Sequence, residues 1–190
     1  MKRFLLVFLL GLAAVVSSAQ VAVTGGLNFS KIKDVDSGSY TGYQVGFAYK
    51  QPLILGLAIQ PELVFASKKG ASDALNMNYI ELPVQVQMGL DLIALRPYIF
   101  AEPFVGYALG GNLKVQDVKR KINMENLESR LEYGLGIGAG LDVLNKVQVS
   151  CKYYWNFDDC SLNSFLDYAK EHISNRESFN GFMVSAAIFF

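Results

Sequence analysis

Five carboxylates, Glu62, Glu81, Glu102, Glu132 and Asp142, each sit on the less apolar face of a segment whose residues alternate in polarity. Lys50 and Lys152 are cations on the same kind of face. Acids and bases gathered in a narrow space with low-dielectric walls have two chemical uses. They line a gated path for protons or ions, or they pair and hydrogen-bond into a plug that fills the space. Both uses require partners, because an unpaired buried carboxylate is costly. A structural plug is the simpler reading, and a conducting path is its alternative.

Other motifs with chemical meaning fail on spacing. "DVDSGS", Asp34–Ser39, resembles the start of a calcium loop, which needs Gly at its sixth position and Glu at its twelfth. Those positions hold Ser39 and Val45, so the stretch reads as a polar turn. "GLGIGAG" places Gly134, Gly136, Gly138 and Gly140 at a strict two-residue period. It never gives the G-x-G-x-x-G of a dinucleotide loop. General-base catalysis usually employs a His beside a Ser or a carboxylate. The single His, His172, has only Glu171 next to it, and no second element converges on the pair. The sequence therefore reads as non-enzymatic, with no cofactor or metal motif. Equal numbers of basic and acidic residues, 17 each, leave no nucleic-acid footprint.

The elements that position these side chains are strands. In Leu131–Val143, one face carries Leu131, Tyr133, Leu135, Ile137, Ala139, Leu141 and Val143. Glu132, four glycines and Asp142 occupy the other. The same period of two recurs through the chain and predicts eight strands near 21–32, 40–50, 55–67, 77–90, 96–111, 130–143, 146–156 and 180–190. Each reaches the length of about 9–11 residues that a tilted membrane strand needs. Connections alternate between tight turns ("QPLI", "DLIA", "LN") and longer polar loops. That asymmetry and the even strand count predict an all-β, eight-stranded antiparallel up-and-down transmembrane β-barrel, with short periplasmic turns and long surface loops. A soluble lipocalin-like barrel would carry charge on one face; here the second face is mostly Gly, Ala, Ser and Gln, which suits a narrow lumen.

Ahead of the strands, Lys2 and Arg3 precede an apolar run, Phe4–Val16, and the small residues Ser17-Ser18-Ala19. The run is shorter than the roughly 20 residues of a helical span. Residues 1–19 read as a cleaved secretory signal and residues 20–190 as the barrel domain. Cys151 falls mid-strand and Cys160 in a loop, a poor arrangement for a disulfide. In the last long loop Leu162, Phe165, Leu166, Ala169 and Ile173 follow a helical spacing with Ser161 as cap, predicting a short amphipathic helix. Tyr40, Tyr43, Tyr98, Tyr107, Trp155, Phe157, Phe182 and Phe190 read as interfacial girdles.

The ordered stretches "QPELVF" (Gln60–Phe65), "YIELPVQVQMGL" (Tyr79–Leu90), "RPYIFAEPFVGYALGG" (Arg96–Gly111), "YGLGIGAGLDV" (Tyr133–Val143) and the "GF…FF" ending resemble the PorT-like outer-membrane β-barrel family. The resemblance covers essentially the whole mature chain. It implies export through Sec and the periplasm, folding by the barrel-assembly machinery, and integral residence among the lipids of a Gram-negative outer membrane. It also implies that Ile188 and the terminal Phe190 form the assembly signal. Members often carry a small residue where this chain has Glu102, which adds a carboxylate to the lumen. Function varies within the family, so the expectation is a structural or interaction role, in which the surface loops meet a ligand or an envelope protein. The alternative is a small pore or a secretion or transport accessory.

Overall fold

The computed structural model describes residues 20–32, 40–69, 75–115, 118–122, 131–158 and 179–190. Its strands are β1 (Gln20–Ile32), β2 (Tyr40–Pro52), β3 (Leu57–Lys69), β4 (Leu75–Gly89), β5 (Leu95–Val115), β6 (Val118–Ile122), β7 (Leu131–Val143), β8 (Val147–Asp158) and β9 (Phe179–Phe189). Eight of them close a ring in the order β1, β2, β3, β4, β5, β7, β8, β9, and β9 returns to pair with β1 from Ala22↔Phe189 to Ile32↔Phe179. Neighbours are antiparallel throughout. The eight-stranded up-and-down barrel expected from the alternation is the fold. Closure leaves the eight-stranded ring no open edge, so its ladder groups are satisfied inside the sheet.

Two differences from the sequence reading change what the wall contains. β3 continues to Lys69, which takes Lys68 out of the loop and into the wall. The fifth connection contains a further hairpin: β5 runs on past the end of its pairing with β7 and pairs with β6, from Gly111↔Ile122 to Val115↔Val118. A hairpin standing beyond the ring is held by backbone bonds and needs no apolar face, so hydrophobic alternation gives no sign of it. The proposed signal (1–19), "DVDSGS", the loop helix with His172, and Cys160 lie outside the described residues.

Packing inverts the pattern of a soluble protein. Phe47 and Ile99 are each 63% exposed, while Ala48 at 2% and Phe100 at 3% face the lumen. Apolar side chains cover the outside of every ring strand, a surface written for an apolar solvent, while the inside mixes charged and amide side chains with aromatics and alanines. Toward the loop end the outer face is aromatic, with Tyr43, Tyr107, Tyr133, Trp155 and Phe157 exposed. Tyr133 and Phe157 lie 6.3 Å apart, and Tyr153 meets Trp155 edge-on at 4.9 Å. Tyr98 departs from the girdle expected of it. It is buried in the lumen beside Phe100, with ring centroids 5.8 Å apart, because it shares strand parity with Arg96 and Glu102. Cys151 is a free thiol on the outer face.

The short turns form the opposite rim and are aliphatic. Leu144 and Asn145 both have positive φ, 53° and 55°, the backbone of a primed two-residue hairpin. Leu55 and Gly56 also have positive φ, 60° and 73°. The left-handed conformation costs an L-residue roughly 1 kcal/mol, and Asn or Gly is the usual occupant, yet leucine stands at two of these four positions. Backbone bonds link the turns to one another: Gly89 N donates to Gly56 O at 2.9 Å, Leu144 N to Ala94 O at 2.8 Å, and Phe189 N to Lys146 O at 2.8 Å. Phe190 N completes the rim by donating to Val21 O at 2.9 Å.

Candidate functional site

The site is the lumen itself. Glu62, Glu81, Glu102, Glu132, Asp142, Lys50 and Lys152 are all buried inside the barrel, and Lys68 and Arg96 lie buried with them. These nine groups come from β2, β3, β4, β5, β7 and β8. Among residues whose side chains are described, β1 and β9 contribute no buried charge; they line the seam with Ala22, Thr24, Asn28, Met183, Ser185, Ala187 and Phe189.

Near the short-turn rim, Asp142 is the hub. It pairs with Lys50 across the lumen and accepts from Arg96 Nη1 at 3.1 Å and from Gln148 Nε2 at 2.8 Å. Arg96 also donates to Gln87 Oε1 at 3.0 Å and to Gly56 O at 2.8 Å, and its Nε reaches Asp91 at 3.1 Å. A guanidinium presents five donors in a fixed fork, which lets this one side chain tie a turn carbonyl, a turn carboxylate and the lumen hub together. Glutamines carry the network on. Gln148 and Gln60 exchange bonds at 2.9 and 3.2 Å, Gln87 donates to Gln60 at 3.0 Å, and Gln60 and Gln85 donate to Glu62 Oε1 at 2.8 and 3.1 Å. Among the described residues Glu62 is held by these amides and sits in no ion pair.

Toward the loop end a second layer is built around Lys68. Its ammonium lies 2.7 Å from Glu81 and 2.5 Å from Glu132. Asn156 Nδ2 donates to the other oxygen of Glu132 at 3.0 Å. Aromatic faces surround the same ammonium: Tyr79 at 4.7 Å, Phe104 at 5.5 Å and Tyr154 at 5.9 Å from the ring centroids. Lys152 pairs with Glu102 beside them. The void left between these side chains, lined by Lys68, Glu81, Glu102, Phe104, Lys152, Tyr154 and Met183, has a volume of about 10 Å³. That is room for about one water molecule.

Sequence reasoning missed Lys68 and Arg96. The signal was present in the parity: Lys68 follows Glu62, Val64 and Ala66 at steps of two, and Arg96 precedes Tyr98, Phe100 and Glu102 in the same way. Ending the strand at Ser67, two residues short of Lys69, and starting a strand at Arg96 without assigning its face, hid both. Ile188 and Phe190 lie on the outer face at the turn rim, exposed.

The family model described as "Outer membrane protein beta-barrel domain" matches residues 13–161. No curated protein matches the chain. Among solved structures, Neisserial surface protein A superposes with a TM-score of 0.51 at 12% identity, over 90% of this chain and 97% of that one. The outer membrane enzyme PagL gives a TM-score of 0.51 at 14% identity, over 88% of this chain and 98% of that one. At such identities the likeness speaks for the barrel fold alone.

Proposed function

Since the chain belongs to the family of outer membrane protein β-barrel domains, we propose that this integral outer-membrane barrel is plugged and non-enzymatic, a structural or interaction protein acting through its long surface loops. The observation that carries this reading is the lumen. Ion pairs and amide hydrogen bonds cross it in two layers, and the void among the outer layer's side chains has a volume of about 10 Å³. A hydrated path needs continuous room for water and mobile charge, whereas the described lumen cations Lys50, Lys68, Arg96 and Lys152 are each paired with a carboxylate.

The ordered motifs from Gln60 to Val143 support a closer kinship with PorT-like barrels. The same resemblance supports residues 1–19 as the export signal, the barrel-assembly machinery as the folding partner, and a surface ligand or envelope protein as what the loops meet. Planar-bilayer recording tests the plugged lumen: the purified barrel is expected to give no steady unitary currents. Steady unitary currents would sink the plug and favour a small pore or a secretion accessory instead.

A further inference from the structure

The turn rim is a second surface with a chemistry of its own. Ile54 is 78%, Leu55 89%, Leu92 60% and Ile93 108% exposed, all at the end of the barrel that a soluble compartment would wash. Turns in water are normally built from Gly, Asn, Asp and Ser. Here leucine occupies left-handed positions 55 and 144 that favour glycine or asparagine, so the side chain has been kept at the expense of the backbone.

Four further observations point to what covers it. The aliphatic rim is continuous with the lipid-facing band: Leu90 extends the outward row Leu82, Val86 and Met88 on β4, and Leu95 begins the row on β5. Part of the turn backbone is bonded within the barrel: Leu53 N donates to Leu57 O at 2.7 Å, Leu90 N to Pro97 O at 3.0 Å and Leu92 N to Leu95 O at 3.0 Å. The carboxylate of the β4–β5 turn, Asp91, is matched by Arg96 at 3.1 Å. Lys146, the exposed cation of the β7–β8 turn, has a stem long enough to carry its ammonium to the headgroups.

We infer that the β2–β3 and β4–β5 turns, with Leu144 beside them, are seated in the acyl–headgroup boundary of the inner leaflet, so that the occupant of this rim is phospholipid. The barrel is thereby held at its periplasmic end by aliphatic turns and at its surface end by aromatic residues.

The test uses the whole barrel refolded into phosphatidylcholine vesicles, with Trp155→Phe as background, so that Ile93→Trp or Ile54→Trp supplies the only indole. Retained heat-modifiable migration on a denaturing gel shows that each variant is folded. Emission is expected to be blue-shifted, quenched by phospholipid brominated near the top of the acyl chain, resistant to iodide on both sides of the vesicle, and unchanged when the protein is diluted in lipid. Water-like emission with ready iodide quenching at both positions would overturn the inference. So would a blue shift that disappears on dilution, which would assign the rim to a second copy of the chain.

Discussion

Asp142 shows how much a single buried carboxylate holds. It neutralises Lys50 and Arg96 and accepts from Gln148, so Asp142→Asn takes the paired carboxylate from buried Lys50 and leaves Arg96 with only the exposed Asp91. Breaking a buried pair from one side costs about 3–5 kcal/mol. The variant is therefore expected to unfold at distinctly lower urea than the parent, measured by gel mobility or tryptophan emission in vesicles. Glu62→Gln should lose far less, since among the described residues its carboxylate meets only the amides of Gln60 and Gln85; equal losses would show that the hub has been misread. The alternation alone placed five acids and two bases on lumen-facing positions. It did not show which base meets which acid, because partners such as Lys50 and Asp142 come from strands far apart around the ring. Parity says which way a side chain points; it is silent on what stands across the lumen.

At the scale of the element, β7 explains its own glycines. A Cβ at Gly138 would lie 2.6 Å from Phe100 Cζ and 2.8 Å from Lys152 Cβ, and would meet the Cys151 carbonyl more closely still. A Cβ at Gly136 would find its nearest neighbour, Lys152 Cδ, at 3.4 Å, an ordinary contact. Gly138→Ala should therefore reduce the heat-modifiable, folded fraction sharply while Gly136→Ala leaves it near the parent's. The reverse order would disprove the packing assignment. Strand identities were legible because burial on one face imposes a period of two. The β5–β6 hairpin was not legible, because beyond the ring nothing imposes that period, and the end of β3 was lost because Lys68 looks like a loop residue until its partners Glu81 and Glu132 are seen.

For the whole molecule, assembly means closing β9 on β1 in lipid. The last bond of that seam at the turn rim, from Phe190 N to Val21 O, leaves the Phe190 ring exposed on the outer face. If Phe190 and Ile188 are what the barrel-assembly machinery reads, Phe190→Ala should lower the amount of heat-modifiable barrel in the outer-membrane fraction several-fold, with the mature chain still beginning at Gln20 by N-terminal sequencing. Parental amounts would argue against the assembly role, and a retained leader against the cleavage site. Among its described side chains the seam carries no buried charge, which has a geometric consequence. The ion pairs β2–β7, β3–β7 and β5–β8 are chords drawn across an arc, and none of them ends on β1 or β9. In the closed barrel such chords brace the curvature independently of the seam. The two margins meet through backbone bonds and, among the described side chains, uncharged ones, and the Phe189 ring of β9 lies 5.4 Å from the Lys50 ammonium.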